Sequence, residues 1–342
     1  MAFFIRWNEL ITIDSICQGE RSACTLVQMA SDSEAFGEKA VLAPPLIDRL
    51  PPHAYFVVSA LFHYLGPSFA VLLFARVDVL GVAWLRIASA ALVFGVWRRP
   101  WRKFRSLDRS GQLLIIGLGA VFAIMNASFY ISISRLPLAT VAAIEFLGPI
   151  LLAVIGARLP RNVLAIVAAV TGVYLLTHVR VLGEPIGVGF AFANAALFTA
   201  YIVLAHRVAR QSTMGGIDGL AAAMMFALVF VSPIGLSAAS RAFTDPVALA
   251  AGVGVGISSS VIPYVFDQLA MARLPRATYA LFVALLPATA TVIGIAVLQQ
   301  FPSMVDLLGI GLVMLGVGIH RPEPSSRPSS TARIASVSEV AD

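Results

Sequence analysis

The chain has 342 residues, of which 59% are hydrophobic and 12% charged. Ordinary globular proteins carry about 25% charged residues, so there is too little polar side chain here to clothe a water-soluble fold, and a soluble enzyme is excluded. The formal net charge of +6 is set by location: residues 1–52 carry 4 basic and 7 acidic side chains, and the remainder carries 20 basic and 11 acidic, a net +9.

In chain order, residues 1–52 read as a poorly ordered N-terminal extension. Both cysteines, Cys17 and Cys24, fall there, with a spacing that suits neither a zinc site nor a disulfide framework. Charge at Arg6, Glu9 and Asp14 interrupts any signal-peptide core, and Met1 and Met29 are both possible starts. Ten apolar runs follow, near 53–74, 79–97, 111–134, 138–157, 162–178, 186–205, 217–238, 248–271, 275–297 and 303–319. A hydrocarbon layer about 30 Å thick takes about 20 apolar residues per helix, and lipid leaves no water for unpaired backbone groups. The expected fold class is therefore an all-α polytopic membrane protein with ten transmembrane helices. Residues 320–342, rich in Ser, Pro and Arg, read as a disordered tail.

With the N-terminus inside, the inner loops and C-terminal tail hold 15 Lys and Arg side chains and the outer segments only Arg76, Arg135, Arg180 and Arg241. By the retention of basic residues on the cytoplasmic side, both termini are expected in the cytoplasm. The basic run WRRPWRKFR after the second span reads as a topology anchor in preference to a nucleic-acid patch.

An internal repeat organises the body. Residues 135–150, RLPLATVAAIEFLGPI, align without a gap on 273–288, RLPRATYALFVALLPA, at an offset of 138, with eight of sixteen positions identical. The chain then reads as two five-helix copies, 53–182 and 183–319. Because five is odd, the second copy crosses the membrane in the opposite sense, the inverted-topology repeat of secondary transporters.

Ionisable groups within spans are the default functional candidates, because each costs roughly 2.5 to 3.5 kcal/mol to insert. Arg86, Glu145 and Asp267 are the three. Arg86 and Glu145 each lie seven residues from an outer span end, about 10 Å deep at 1.5 Å per residue. They form either a buried ion pair that fixes packing or a separable pair in which Arg86 receives a carboxylate and Glu145 an ammonium or a proton. A small zwitterion such as an amino acid matches both signs. Asp267 either couples transport or binds its neighbour Arg273. Asn126, Tyr130, Tyr264 and Gln268 offer further hydrogen bonds, with His63 and Tyr201 weaker candidates. Pro149 and Pro287, equivalent in the repeat, are candidate helix breaks. Gly252 and Gly256 form a GxxxG contact motif, and Ser303 with Asp306 fits a capping box. The sequence shows no phosphate loop, metal motif or nucleophile set, and so calls for no enzyme activity, cofactor or metal.

The segments LGVAWLRIASAALVFGVWRRPWRKF at 80–104, NASFYISISRLPLATVAAIEFLGPILLAV at 126–154 and IPYVFDQLAMARLPRATYALFVALLPATAT at 262–291 resemble the EamA-type branch of the drug/metabolite transporter superfamily, over residues 55–319. Within it the likeness is to threonine/homoserine exporters, through the stretch from Glu145 to Pro149 and through Pro263, Tyr264 and Asp267. The resemblance implies a ten-helix inner-membrane exporter of small amino acids or related metabolites, coupled to protons. The chain departs from the family at Leu286, Gln299 and Gln300, where members often carry glutamate before the ninth-span proline and Gly-Glu after that span. A drug or other metabolite carrier of the same superfamily, with a cavity lined by aromatics or extra basic groups, and a non-transporting membrane scaffold or receptor are the alternatives.

Overall fold

The computed structural model describes residues 51–148, 150, 160–177, 183–211, 214, 216–274 and 282–319. The N-terminal extension with its cysteines, the C-terminal tail and Pro149 lie outside them. Among the described residues the structure is helix and turn with no strand. The helices are α1 (Pro52–Leu73), α2 (Val79–Arg98), α3 (Arg109–Ile133), α4 (Leu138–Glu145), α5 (Pro160–Thr177), α6 (Pro185–Gln211), α7 (Gly216–Ala238), α8 (Pro246–Gly256), α9 (Ile262–Arg273), α10 (Leu286–Leu298) and α11 (Met304–Ile319). A π-helical turn, Ile257–Val261, joins α8 to α9 without interruption.

Among the described residues, six segments are long and apolar enough to cross a membrane: His53–Leu73, Val79–Arg98, Arg109–Ile133, Pro185–Ala205, Ile217–Ala238 and Pro246–Asp267. Shorter apolar helices lie within α5, α10 and α11. Large side chains such as Leu92, Val96, Leu113, Val229 and Ile234 point outward and are about two-thirds exposed. On a soluble protein such a belt would drive association; on this one it faces lipid. The protein is a multi-pass helical membrane protein.

Polar side chains finish the helices where the sequence places them. Asp108 accepts from the Gly111 N–H at the start of α3. Ser303 and Asp306 exchange bonds at the start of α11 as the capping box requires. The Asp245 carboxyl, at the start of α8, is held below the usual carboxylate range by the Ala248 N–H, with Arg76 and the Val247 N–H adding to it.

α1 packs against α9 and α10, while α6 packs against α3 and α4; α2 meets α7, α4 meets α10, and α5 meets α11.

Two helices break at equivalent places, and this corrects the simple reading of the prolines. α4 stops at Glu145 with a turn at Phe146, and the helical residues Phe282 and Val283 turn at Ala284 and Leu285 before α10 begins. The repeat offset carries Phe146 onto Ala284. Pro287 does not sit in mid-helix: it is in the first turn of α10, where an absent N–H costs nothing. Its missing hydrogen bond to the Val283 carbonyl is the reason the helix yields just before it.

Close backbone approach surrounds the π-turn. A Cβ on Gly256 would lie 1.8 Å from Ser89 Oγ and 2.6 Å from the Arg86 carbonyl oxygen, and one on Gly66 would lie 2.4 Å from Ser259 Cβ. Nothing lies within 4 Å of a Cβ on Gly254. Gly256→Ala is therefore expected to destabilise the protein by about 1 to 3 kcal/mol through overpacking. Gly254→Ala should be neutral or slightly stabilising. Thermal unfolding of the detergent-solubilised variants checks this, and equal losses at the two sites would contradict it.

Candidate functional site

Arg86 is the most constrained charged side chain of the body. It is 6% exposed, and an arginine in that setting must find donors' partners from the protein. The π-turn supplies them. Arg86 Nε donates to Ser260 Oγ at 3.0 Å and Nη2 donates to the Ser259 carbonyl at 3.1 Å. Pro263, four residues beyond Ser259, has no N–H to give that carbonyl, so the proline makes the acceptor available. The guanidinium also lies over the Tyr130 ring, 5.5 Å from its centroid, a favourable cation–π geometry.

Glu145 ends α4 beside the Phe146 turn and is 8% exposed. Its Oε1 accepts from Asn194 Nδ2 at 3.2 Å. Asn194 is itself 1% exposed, and its carbonyl oxygen has no partner among the described residues. No ion pair joins Arg86 to Glu145: the tight packing pair considered from the sequence does not form, and each charge is held instead by neutral polar groups of the opposite half. Asp267 accepts from Ser59 Oγ at 2.6 Å, and the same hydroxyl reaches the Pro263 carbonyl at 3.2 Å. The suggested partner Arg273 lies elsewhere, over the Tyr55 ring at 5.0 Å.

One cavity of about 510 Å³ is bordered by Arg86, Asn126, Glu145, Tyr264 and Asp267 from the sequence-derived set, and by Asn194 and Ser59. His63 and Tyr201, the weaker candidates, border it as well. Tyr130 does not: fully buried, it stacks under Arg86 and acts as a floor for the guanidinium. Asn126 spends its Nδ2 on the Phe122 carbonyl of its own helix at 2.8 Å. Pro287 is buried next to the lining residue Leu286. The side chain of Gln268 lies outside the described ones. Asn194 and Ser59, which line the cavity, and Ser259 and Ser260, which hold Arg86, were not picked out from the sequence. Asn194 was findable by the rule that picked Asn126, a lone amide in the apolar run GFAFANAALF. The serines were not, because serine is common in membrane helices and usually bonds its own helix.

The cavity reaches from the level of Arg86 and Glu145 toward the end of the bundle where α1 begins and α11 ends: Phe56 is one turn into α1 and Val317 two residues short of the end of α11. At that end Asp218, 5% exposed, binds both Arg98 and Lys103. Part of the basic run that reads as a topology anchor is thus an internal clasp between α2 and α7. At the other end the halves are tied by Arg76 to Asp245 at 3.1 Å, Arg135 to Glu184 at 3.5 Å, and the Leu138 N–H to Gln300 Oε1 at 3.0 Å. The two ion pairs are exposed and individually weak.

A breakable tie at one end, a cavity reaching the other, and charges bordering it that do not neutralise each other define a membrane transporter. The description of the EamA-like transporter family matches residues 185–320. The chain is 30% identical over 255 residues to the threonine/homoserine exporter RhtA of Escherichia coli (strain K12), covering 73% of this chain and 84% of that one. It is also 30% identical over 252 residues to the threonine/homoserine exporter RhtA of Salmonella typhimurium (strain SL1344), covering 72% and 82%. The chain belongs to the EamA-like transporter family.

Removing one acceptor of a buried charge costs about 1.5 to 3 kcal/mol. Ser260→Ala should therefore lower stability by about that amount, whereas Ser258→Ala, which loses only a bond to the Val255 carbonyl of its own helix, should cost less than about 1 kcal/mol. Chemical or thermal unfolding in detergent measures both, and equal costs would remove Ser260 from the account of Arg86.

Proposed function

We propose that the protein is a secondary active exporter of amino acids or related zwitterionic metabolites that works by alternating access and is driven by protons. The observation that carries this reading is the pair of unlike charges, Arg86 and Glu145, which border one cavity without neutralising each other. Arg86 receives the carboxylate of the cargo. Glu145, with the unpartnered carbonyl of Asn194 beside it, receives the ammonium. Threonine and homoserine, the cargo in the names of the relatives, are the first candidates.

The arrangement of halves supports the mechanism. Contacts that survive exchange of the halves, and helix breaks related by the repeat offset, are what two inverted five-helix copies produce, 53–182 and 183–319, with ten crossings in all. In such proteins the site lies between the copies and the copies rock about it. With both termini cytoplasmic, the cavity reaches the cytoplasmic end and the ties Arg76–Asp245, Arg135–Glu184 and Leu138–Gln300 close the outer end, which is the state that loads an export substrate. Rocking breaks those weak ties and opens the cavity outward. Glu145 exchanges cargo ammonium for a proton on the return, so binding of one requires release of the other. Asp267, held only by the Ser59 hydroxyl, is a second protonatable station nearer the cytoplasmic end. Transport needs no cofactor and no nucleic acid.

The test is efflux of labelled amino acids from proteoliposomes with and without a protonophore. The expected result is saturable efflux that depends on the proton gradient. Glu145→Gln should cut gradient-driven efflux by at least about tenfold while the protein remains folded in the membrane, since the loss of one buried charge interaction exceeds about 1.4 kcal/mol. Full activity of that variant would remove Glu145 from the mechanism, and absence of flux for every amino acid would overturn the cargo class.

A further inference from the structure

The polar groups that suit an amino-acid backbone are gathered at one level of the cavity. Arg86 and Glu145 each lie seven residues from the helix ends at Val79 and Leu138, and Asn126 lies seven from Ile133. Asn194 is nine residues into α6. At 1.5 Å per residue these are depths of about 10 to 14 Å. Between that level and the cytoplasmic mouth the walls change character. Phe198, Tyr201, Ile202, Tyr264, Val283 and Leu286 face the space. The aromatic part of this wall is a packed unit: Phe198 stacks on Tyr201 with ring centroids 6.1 Å apart at 11°, and both Tyr201 and Tyr264 lean on Phe122, at 6.0 and 6.2 Å. Rigid aromatic walls of this kind give an apolar group a large contact area. A volume near 510 Å³ falls within the range of roughly 300 to 1,000 Å³ that suits drug-sized ligands.

A hydroxylated side chain as short as that of threonine would bind at the polar level and leave this wall in contact with water. A side chain with a bulky apolar body would cover it. The one further charge bordering the cavity below the polar level is Asp267, which accepts a hydrogen bond from Ser59; competition by lysine tests whether it receives a second cation.

We propose that the preferred cargo is an amino acid with a large apolar or aromatic side chain, its backbone held between Arg86 and Glu145 and its side chain laid against the Phe198, Tyr201 and Tyr264 wall. This inference rests on the exporter reading above and sharpens its substrate class. Threonine is carried by the same backbone contacts but gains nothing from the wall.

The experiment uses the full chain in proteoliposomes loaded with labelled threonine or labelled phenylalanine, with unlabelled phenylalanine, threonine or lysine as competitor. Phenylalanine should leave the vesicles and should inhibit threonine efflux at a concentration at least about tenfold below that at which threonine inhibits it, the difference expected for burying a large apolar side chain. Phe198→Ala should weaken inhibition by phenylalanine more than inhibition by unlabelled threonine. Threonine efflux that phenylalanine does not inhibit, or that lysine inhibits better, overturns the proposal and leaves the exporter reading standing. Absence of flux for every amino acid overturns both. Should Phe198→Ala fail to fold, the order of inhibition in the unaltered protein decides the matter alone.

Discussion

An arginine buried in the middle of a membrane helix needs partners, and the structure is organised around providing them. The hydrogen-bond partners of Arg86 come from the turn where α8 passes into α9. The π-turn Ile257–Val261 brings Ser259 and Ser260 round to the same side, and insertions of this sort occur frequently at functional sites. Pro263 withholds the N–H that would otherwise occupy the Ser259 carbonyl. Gly256 and Gly66 let α2 and α1 close on the turn with no side chain between. The guanidinium of α2 thus joins the α8–α9 segment to Tyr130 of α3, and Gly66 lets α1 pack on the same turn.

Neutral partners for Arg86 have a functional consequence. Had the arginine been satisfied by Glu145, the cavity would have been lined by a closed ion pair, which offers little to a ligand and costs desolvation to separate. Serine hydroxyl, backbone carbonyl and aromatic face leave the positive charge uncompensated. The same holds for Glu145, whose hydrogen-bond partner is an amide. In the proposed mechanism, the two opposite charges held apart by neutral groups receive a zwitterion.

The class of fold was legible in the sequence because hydrophobic run length and the scarcity of charge are properties of composition. Where prolines intervene the helices depart from their apolar runs: α4 gives way to a turn at Phe146 before Leu147 and Gly148 resume the helix, and Ala284 and Leu285 turn before α10 begins at Leu286. Hydropathy is blind to both breaks because the residues that turn, Phe146, Ala284 and Leu285, are apolar. Of the site, the charged members could be picked out by the energetic cost of placing them in hydrocarbon. Their partners could not, since a serine or asparagine in a membrane helix is ordinary and its direction depends on local backbone geometry. Tyr130 illustrates the limit: four residues from Asn126 and on the same stripe of α3, it reads as a ligand contact, yet its ring lies under the arginine and outside the cavity lining.

The family assignment and the cavity point to transport, and the central claim is that cargo is recognised through both of its charges. The most direct measurement compares three competitors of amino-acid efflux in proteoliposomes: phenylalanine, its carboxamide, which lacks the anionic group, and phenylpropionate, which lacks the ammonium. Recognition by Arg86 and Glu145 together predicts inhibition by phenylalanine alone. Inhibition by the carboxamide or by phenylpropionate as strong as that by phenylalanine would contradict it.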